Sequence, residues 1–349
     1  MGADDVRIAK FDPFNATDAE WTGLNELKNI IEAESMPEDP PESVEDHVRR
    51  VRAVPPSMDS LFWLAWDGSG DRVLGMGNTS VMAGEANRHI LWLSIQVRPD
   101  ARRRGIGTRL LRPVAEAARR KDRRLFVATT NSRVPAGEAF MKRLGASMGL
   151  SNSSSELLID DVDEELMRRW RERAHERASD FALGLWEGPY PDDAIDDVMD
   201  MYKIMNTAPQ GDLDIQELEP TPELLRESAA NVRATGVERW SMHARHVETG
   251  KIAGYTEVFW LASRPDLLGQ GDTGVFPEYR NRGLGRWLKG AMMEKVLMDR
   301  PQVTRVRTGN AESNAPMLSI NREMGFKHVL TVYDWQVEVD RVFEYLASR

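Results

Sequence analysis

Arg280-Asn281-Arg282-Gly283-Leu284-Gly285 is entered through Thr273-Gly274-Val275-Phe276-Pro277 and followed by a helical run from Arg286 to Met298. The composition is that of an anion cradle placed between a strand and a helix. Gly283 and Gly285 lack a Cβ, so successive backbone N–H groups can turn inward on a phosphate, and a helix that starts there adds the positive end of its dipole. Arg280 and Arg282 would supply countercharge. The spacing is neither the Rossmann fingerprint nor a Walker loop, which needs Gly-Lys-Ser/Thr after a four-residue gap. Two carboxylates lie upstream on expected strands: Glu257 within Tyr255–Trp260 and Asp272 on the strand leading to Val275. Strand side chains alternate faces, so a carboxylate aimed at the cleft could accept a proton directly or through water, as a general base. His243 is a weaker candidate, because a lone strand histidine is more often a structural hydrogen-bonder.

The cradle belongs to a longer pattern, Val-x-Pro-x-x-Arg-x-x-Gly-x-Gly from Val275 to Gly285, and the pattern occurs twice. Val97, Pro99, Arg102, Gly105 and Gly107 reproduce it in the first half, with Arg104 beside them; Gly105 and Gly283 are 178 residues apart. Leu74-Gly75 against Ala253-Gly254 and Leu144-Gly145-Ala146 against Met324-Gly325-Phe326 repeat at 179 and 180 residues. Flanking features that keep nearly the same distance mark an internal duplication. The length of 349 residues agrees, since single cores stop growing near 250–300 residues.

This doubled string resembles the acyl-CoA signature of the GNAT acetyltransferase superfamily, and the whole arrangement is similar to tandem GNAT proteins of the mycothiol synthase type. The resemblance implies an α/β (α+β) fold: two tandem domains, each a mixed, mostly antiparallel sheet flanked by helices, whose fourth and fifth strands splay apart. The gap would receive the pantetheine arm of acetyl-CoA as an added strand. Backbone groups near Val275 would polarise the thioester carbonyl. In the second half the cofactor contacts implied are Val275, Phe276, Arg280, Asn281, Arg282, Gly283, Leu284, Gly285 and Asn314. In the first half they are Val97, Arg102, Arg104, Gly105 and Gly107. The mycothiol synthase pattern has a strand carboxylate six residues before the valine, and Gly269 stands there instead.

Periodicity predicts the same series of elements in each half. In the first it runs through strands at Val6–Phe11, Phe62–Trp66, Val73–Met82, Leu91–Val97, Leu125–Thr130 and Glu156–Ile159. Helices are expected at Asp18–Glu34, Val44–Val54, from the cradle to about Arg120, and at Ala136–Leu144. The second half repeats the series from Phe181–Trp186 to Tyr333–Val339. The expected domains are 1–160, a linker helix within 161–180, and 181–349. Pro-rich loops at Met36–Pro41 and Thr207–Pro222 could form walls of binding sites.

The halves differ where chemistry would reside. Asn314 falls at the superfamily's Asn position, but counting back from Leu144-Gly145 puts Val134 at its equivalent, and valine cannot hydrogen-bond an amide. Pro113 interrupts the first cradle helix and should kink it. The expectation is therefore a degenerate N-terminal domain and a catalytic C-terminal one. There, direct attack would move an acetyl or other short acyl group from CoA to a primary amine of a small molecule, with Glu257 or Asp272 as base. In many relatives a Tyr seven residues after the Asn protonates the departing thiolate; here that residue is Asn321, leaving Tyr255, Tyr279 or Tyr333 as possible substitutes. The alternative is a catalytically silent acyl-CoA-binding protein.

Composition removes other classes. There is no cysteine, and the six histidines form no His-Glu-x-x-His pair, so no metal is expected. A net charge of −10 works against nucleic-acid binding. No apolar stretch is long enough for a bilayer, and Met1-Gly2-Ala3-Asp4-Asp5 does not read as a leader, which together predict a cytoplasmic protein with no membrane partner. Monomer and homodimer are equally open.

Overall fold

The computed structural model describes residues 6–84, 86–217 and 219–349; the Met1–Asp5 opening and Leu218 of the second Pro-rich loop lie outside the described residues. The chain forms β1 (Arg7–Phe11), α1 (Asp18–Ser35), α2 (Val44–Arg52), β2 (Met58–Trp66), β3 (Val73–Met82), β4 (Ile90–Val97), α3 (Ile106–Arg120), β5 (Leu125–Asn131), α4 (Pro135–Arg143) and β6 (Ser147–Leu158). After α5 (Glu164–Arg177) come β7 (Phe181–Glu187), α6 (Ile195–Lys203), α7 (Pro222–Thr235), β8 (Val237–His246), β9 (Ile252–Leu261) and β10 (Leu267–Val275). The chain ends with α8 (Leu284–Asp299), β11 (Arg305–Ala311), α9 (Ala315–Met324), β12 (Lys327–Glu338) and α10 (Val339–Ala347). Among the described residues no helix is long and apolar enough to cross a membrane.

Local chemistry accounts for many boundaries. Thr17 opens α1 with a reciprocal capping box, its hydroxyl accepting from the Glu20 N–H while the Glu20 carboxylate accepts from the Thr17 N–H at 2.9 Å. Trp21, Leu24 and Leu27 then face the core at helical spacing. Pro113 lies inside α3, which runs on to Arg120.

Two compact units emerge, and they do not follow the linear halves. Unit 1 comprises 1–151, 210–216 and 331–349; unit 2 comprises 152–209 and 217–330. In unit 1 the strand order is β1-β2-β3-β4-β5-β12. Here β12 pairs antiparallel with β5 from Val332↔Asn131 to Glu338↔Leu125. Trp335, Val337 and Val342 join Leu110, Val114 and Phe126 in one core. Burying such side chains stabilises by about 1.5–3 kcal/mol each. In unit 2 the order is β7-β8-β9-β10-β11-β6, and β6 pairs antiparallel with β11 from Leu158↔Arg305 to Asn152↔Ala311. A cut near residues 160 and 181 preserves the duplicated motifs but removes from each sheet its closing strand. The period-based reading also started β6 late, at Glu156, because Ser147–Ser155 is too poor in apolar residues to show alternation.

Candidate active site

The glycine loop of unit 2 has the backbone that its composition suggested. Asn281 and Gly283 both take left-handed conformations, with φ of 64° and 87°, and Arg103 and Gly105 do the same in unit 1 at 65° and 77°. Only glycine enters that region without strain, with asparagine next. A Cβ at Gly283 would meet nothing within 4 Å, so conformation, not crowding, selects glycine, and the space beside the loop is open. At Gly285 an added Cβ would make ordinary van der Waals contact with Ile320 of α9 at 3.6 Å, so crowding does not select glycine there either. Leu284 begins α8, whose first-turn N–H groups have no intrahelical acceptor.

The arginines are held by the protein. The Arg280 Nε donates to the Val275 carbonyl at 3.0 Å and its Nη2 to Thr207 Oγ1 at 2.8 Å. The Arg282 fork grips Asp180 at 2.5 and 2.8 Å. Its charge is matched internally, which leaves backbone N–H groups as the principal anion donors. Unit 1 repeats the pattern: Arg102 Nε donates to Val97 O at 3.0 Å and its fork holds Glu34 at 2.6 and 2.5 Å, while Arg104 donates to Asp100 O at 3.1 Å.

Next to the loop the sheet opens. Strands β10 and β11 are parallel partners only from Leu267 to Gly269, and β4 and β5 only from Ile90 to Trp92. In β10 an irregularity follows at Gln270, whose amide donates to the Glu257 carbonyl at 2.7 Å and to Thr256 Oγ1 at 3.1 Å. The wedge beyond is a cavity of about 780 Å³. Of the residues expected on sequence grounds, Asp272, Val275, Arg280, Asn281, Gly283, Leu284, Gly285 and Asn314 line it. Phe276 packs instead beside Tyr190 and Ile252, and Arg282 faces Asp180. The connection after α6, from Ile204 to Pro209, supplies another wall. The corresponding cavity of unit 1, about 320 Å³, is lined by Val97, Arg102, Gly105 and Gly107 among others, with Arg103 in place of Arg104. No carboxylate is among its described lining residues.

The two candidate bases are not equivalent. Asp272 is on the cavity wall, where burial pushes its carboxyl upward while a hydrogen bond from the Tyr255 hydroxyl at 3.4 Å opposes the shift. Glu257 lies behind that wall at 2% exposure. Its Oε1 accepts from the hydroxyls of Tyr190 and Ser241, and burial pushes it upward too. Tyr202 extends this network, 3.4 Å from the Tyr190 hydroxyl and stacked on Tyr255. His243 is buried against Trp186, 4.1 Å between ring centres, and desolvation holds it near 4, so it is neutral at physiological pH.

Asn314 caps α9, its side chain accepting from the Met317 N–H at 3.4 Å, and Val134 occupies the same cap of α4 with no side-chain bond. The equivalence counted from sequence is therefore structural. Asn321 is buried and donates to Asn310 Oδ1 at 2.6 Å. Of the tyrosines offered in its stead, Tyr279 lines the cavity, Tyr255 lies beneath it, and Tyr333 belongs to unit 1. Sequence reasoning missed two ionisable lining residues of α8, Arg286 and, at 2% exposure, Lys289. For Lys289 the duplication held the clue, because the residue 178 positions earlier is Leu111.

Residues 24–146 match the acetyltransferase (GNAT) family. No curated protein sequence matches the chain. Among solved structures, a tandem GNAT protein from the clavulanic acid biosynthesis pathway is 26% identical with a TM-score of 0.77, covering 96% of this chain and 98% of its own. A GCN5-related N-acetyltransferase from Sphaerobacter thermophilus is 14% identical with a TM-score of 0.67 and 97% coverage of both chains. The glucosamine N-acetyltransferase region of a fungal multi-domain β-N-acetylglucosaminidase aligns at 14% identity and a TM-score of 0.66, covering 95% of this chain and 38% of that one. The fold and the doubled glycine loop are those of GNAT proteins, the family that residues 24–146 match. More particularly, the chain has the tandem arrangement of the protein from the clavulanic acid pathway and is similar to it over nearly its whole length.

Proposed function

We propose that the protein transfers an acetyl or other short acyl group from CoA to a primary amine of a small molecule, and that unit 2 performs the reaction. The observation that carries this reading is the joining, in one cavity, of the left-handed glycine loop, the N-terminus of α8, the splayed edges of β10 and β11, and the Asp272 carboxylate. The residues suit acyl-CoA: the open space at Gly283 fits a pyrophosphate against backbone N–H groups. The free edge of β10 from Gly271 to Val275 offers main-chain partners to pantetheine amides.

Asp272 would accept the proton released as the acceptor nitrogen forms its bond to the acyl carbon. Main-chain N–H groups near Val275 would donate to the carbonyl oxygen, where negative charge develops. Glu257, shut behind the wall, would act through the Tyr190–Ser241 network to fix β8 and β9. Unit 1 would bind acyl-CoA weakly or serve as scaffold; its smaller cavity has no carboxylate among its described lining residues. A small biosynthetic amine is the preferred acceptor class, in keeping with the pathway of the tandem relative, and a net charge of −10 would steer cationic acceptors inward.

The test is thiol release from acetyl-CoA across an amine library. Release with at least one amine is expected in the wild type and in Gly105→Trp but not in Gly283→Trp, whose indole fills the cradle. Loss in Gly105→Trp alone would move turnover to unit 1. Acetyl-CoA binding without release for any amine would favour the silent binding protein.

A further inference from the structure

One cation in the cavity of unit 2 has no part in the proton transfer to Asp272 or in holding the loop. Lys289 projects from α8 among the lining residues, 2% exposed, its ammonium 5.5 Å from the centre of the Phe326 ring. Among the described residues no carboxylate or hydrogen-bond acceptor is paired with its Nζ, and burial is the single influence on its ionisation. The other cations of the cavity are occupied: Arg280 holds Val275 O and Thr207, and Arg286 forks on Glu323 at 2.6 and 3.0 Å.

The duplication supplies an internal control. Leu111, the counterpart of Lys289 in α3, is fully buried in the core of unit 1, so the fold accepts an aliphatic side chain at this position. A buried amine with no hydrogen-bonding or ion-pair partner is costly. Its presence calls for an anion that arrives with the ligand. Lys289 is six residues along α8 from Gly283, roughly 9 Å at 1.5 Å per residue, which sets it apart from the phosphate cradle. The other anion that acyl transfer generates is the sulfur of CoA.

Resting on the acyl-transfer reading, we propose that Lys289 meets the departing CoA sulfur, pairing with the thiolate and giving it a proton. In the step, the acceptor nitrogen forms the C–N bond and passes a proton to Asp272. The C–S bond breaks with its electron pair on sulfur, and sulfur takes a proton from the Lys289 ammonium. Solvent then returns a proton to Lys289 and removes one from Asp272, so that the acceptor has lost one proton and CoA has gained one. Burial holds the empty-site amine at about 7, within reach of a thiol's ordinary ~8.5, the match that efficient proton transfer needs. The charged groups around this chemistry are Asp272 on β10, Arg280 in the loop, and the Arg286–Glu323 pair on α8 and α9.

An acceptor-independent experiment tests the assignment. The thiolate absorbance of CoA bound to the protein is titrated in the wild type, Lys289→Leu and Lys289→Met, and affinities for CoA and desulfo-CoA are measured in parallel. Bound CoA should ionise in the wild type at a pH at least about one unit below free CoA, a tenfold change in ionisation constant. In either variant it should ionise at or above the free value, with desulfo-CoA bound equally by all forms. Identical titrations in wild type and variants would overturn the proposal. So would an equal loss of affinity for CoA and desulfo-CoA, which would place Lys289 against another part of the ligand. Should the wild type bind no CoA, the acyl-CoA reading itself would fall, a result distinct from binding with an indifferent thiol. Circular dichroism and melting confirm that the variants fold; the leucine of unit 1 at this position makes Lys289→Leu the safer replacement.

Discussion

Asp272 and Glu257 are carried by neighbouring strands, and sequence gave no means of ranking them. Alternation says that a strand residue faces one side or the other, but not which side is the cleft. Asp272 lies within the register irregularity that follows Gln270 and lines the cavity, while Glu257 stays under Tyr190 and Ser241, which favours Asp272 as the base. Asp272→Asn should therefore lower kcat by the 10²–10⁴-fold typical of a lost general base. Because burial raises the Asp272 pKa and the base acts when ionised, wild-type activity should fall as pH drops through a value above the ordinary ~3.9, and the Asn variant should lack that limb. Glu257→Gln should keep most of kcat but lower the melting temperature; an unchanged Asp272→Asn profile beside a collapsed Glu257→Gln would exchange their roles. Lys289 gives a stability counterpart. Its folded value near 7 lies below the ~10.4 of an unfolded lysine, so between those values the unfolded chain binds the extra proton and stability gains as pH rises. Lys289→Leu should melt above the wild type at pH 7, and the gap should narrow toward pH 10; a gap independent of pH would show the amine to be charged throughout.

Asn314 illustrates what a motif match can and cannot say about an element. The match located it beside the cavity, and the structure adds that it caps α9. Removing such a cap costs about 1 kcal/mol. Asn314→Ala should accordingly lower stability by that amount in denaturant titration, whereas Asn314→Asp should restore the cap while withdrawing the amide donor. Acetyl-CoA affinity that follows stability through both variants would make the residue a cap only. The glycine loops and most helices were legible, because left-handed glycines, capping residues and helical periodicity are local signals. The splay between β10 and β11 was legible through resemblance alone. Lys289 was not read at all, since a lone lysine in a helix ordinarily lies on a solvated face, and only a residue-by-residue overlay of the duplication would have set it against Leu111.

At the scale of the whole molecule, the duplication was evident in the sequence but its wiring was not. Pairing between strands some two hundred residues apart leaves no periodic trace, so β12 was counted with the second copy although Thr331–Arg349 completes unit 1. A fragment ending near residue 160 should be poorly soluble and lack a cooperative melting transition, and co-expression of 327–349 should restore both. A fragment 1–160 that melts cooperatively by itself would show β12 to be dispensable. The same wiring sets a timetable during synthesis. Strand β5 ends at Asn131 and its partner residues begin at Val332, so the ribosome must add 200 intervening residues before that edge can be closed. At about 5–20 residues per second this leaves a hydrogen-bonding edge exposed for roughly 10–40 s. Nascent chains of this protein should thus lean on holding chaperones, and slowing translation downstream of residue 131 should lower soluble yield more than the same delay placed before it.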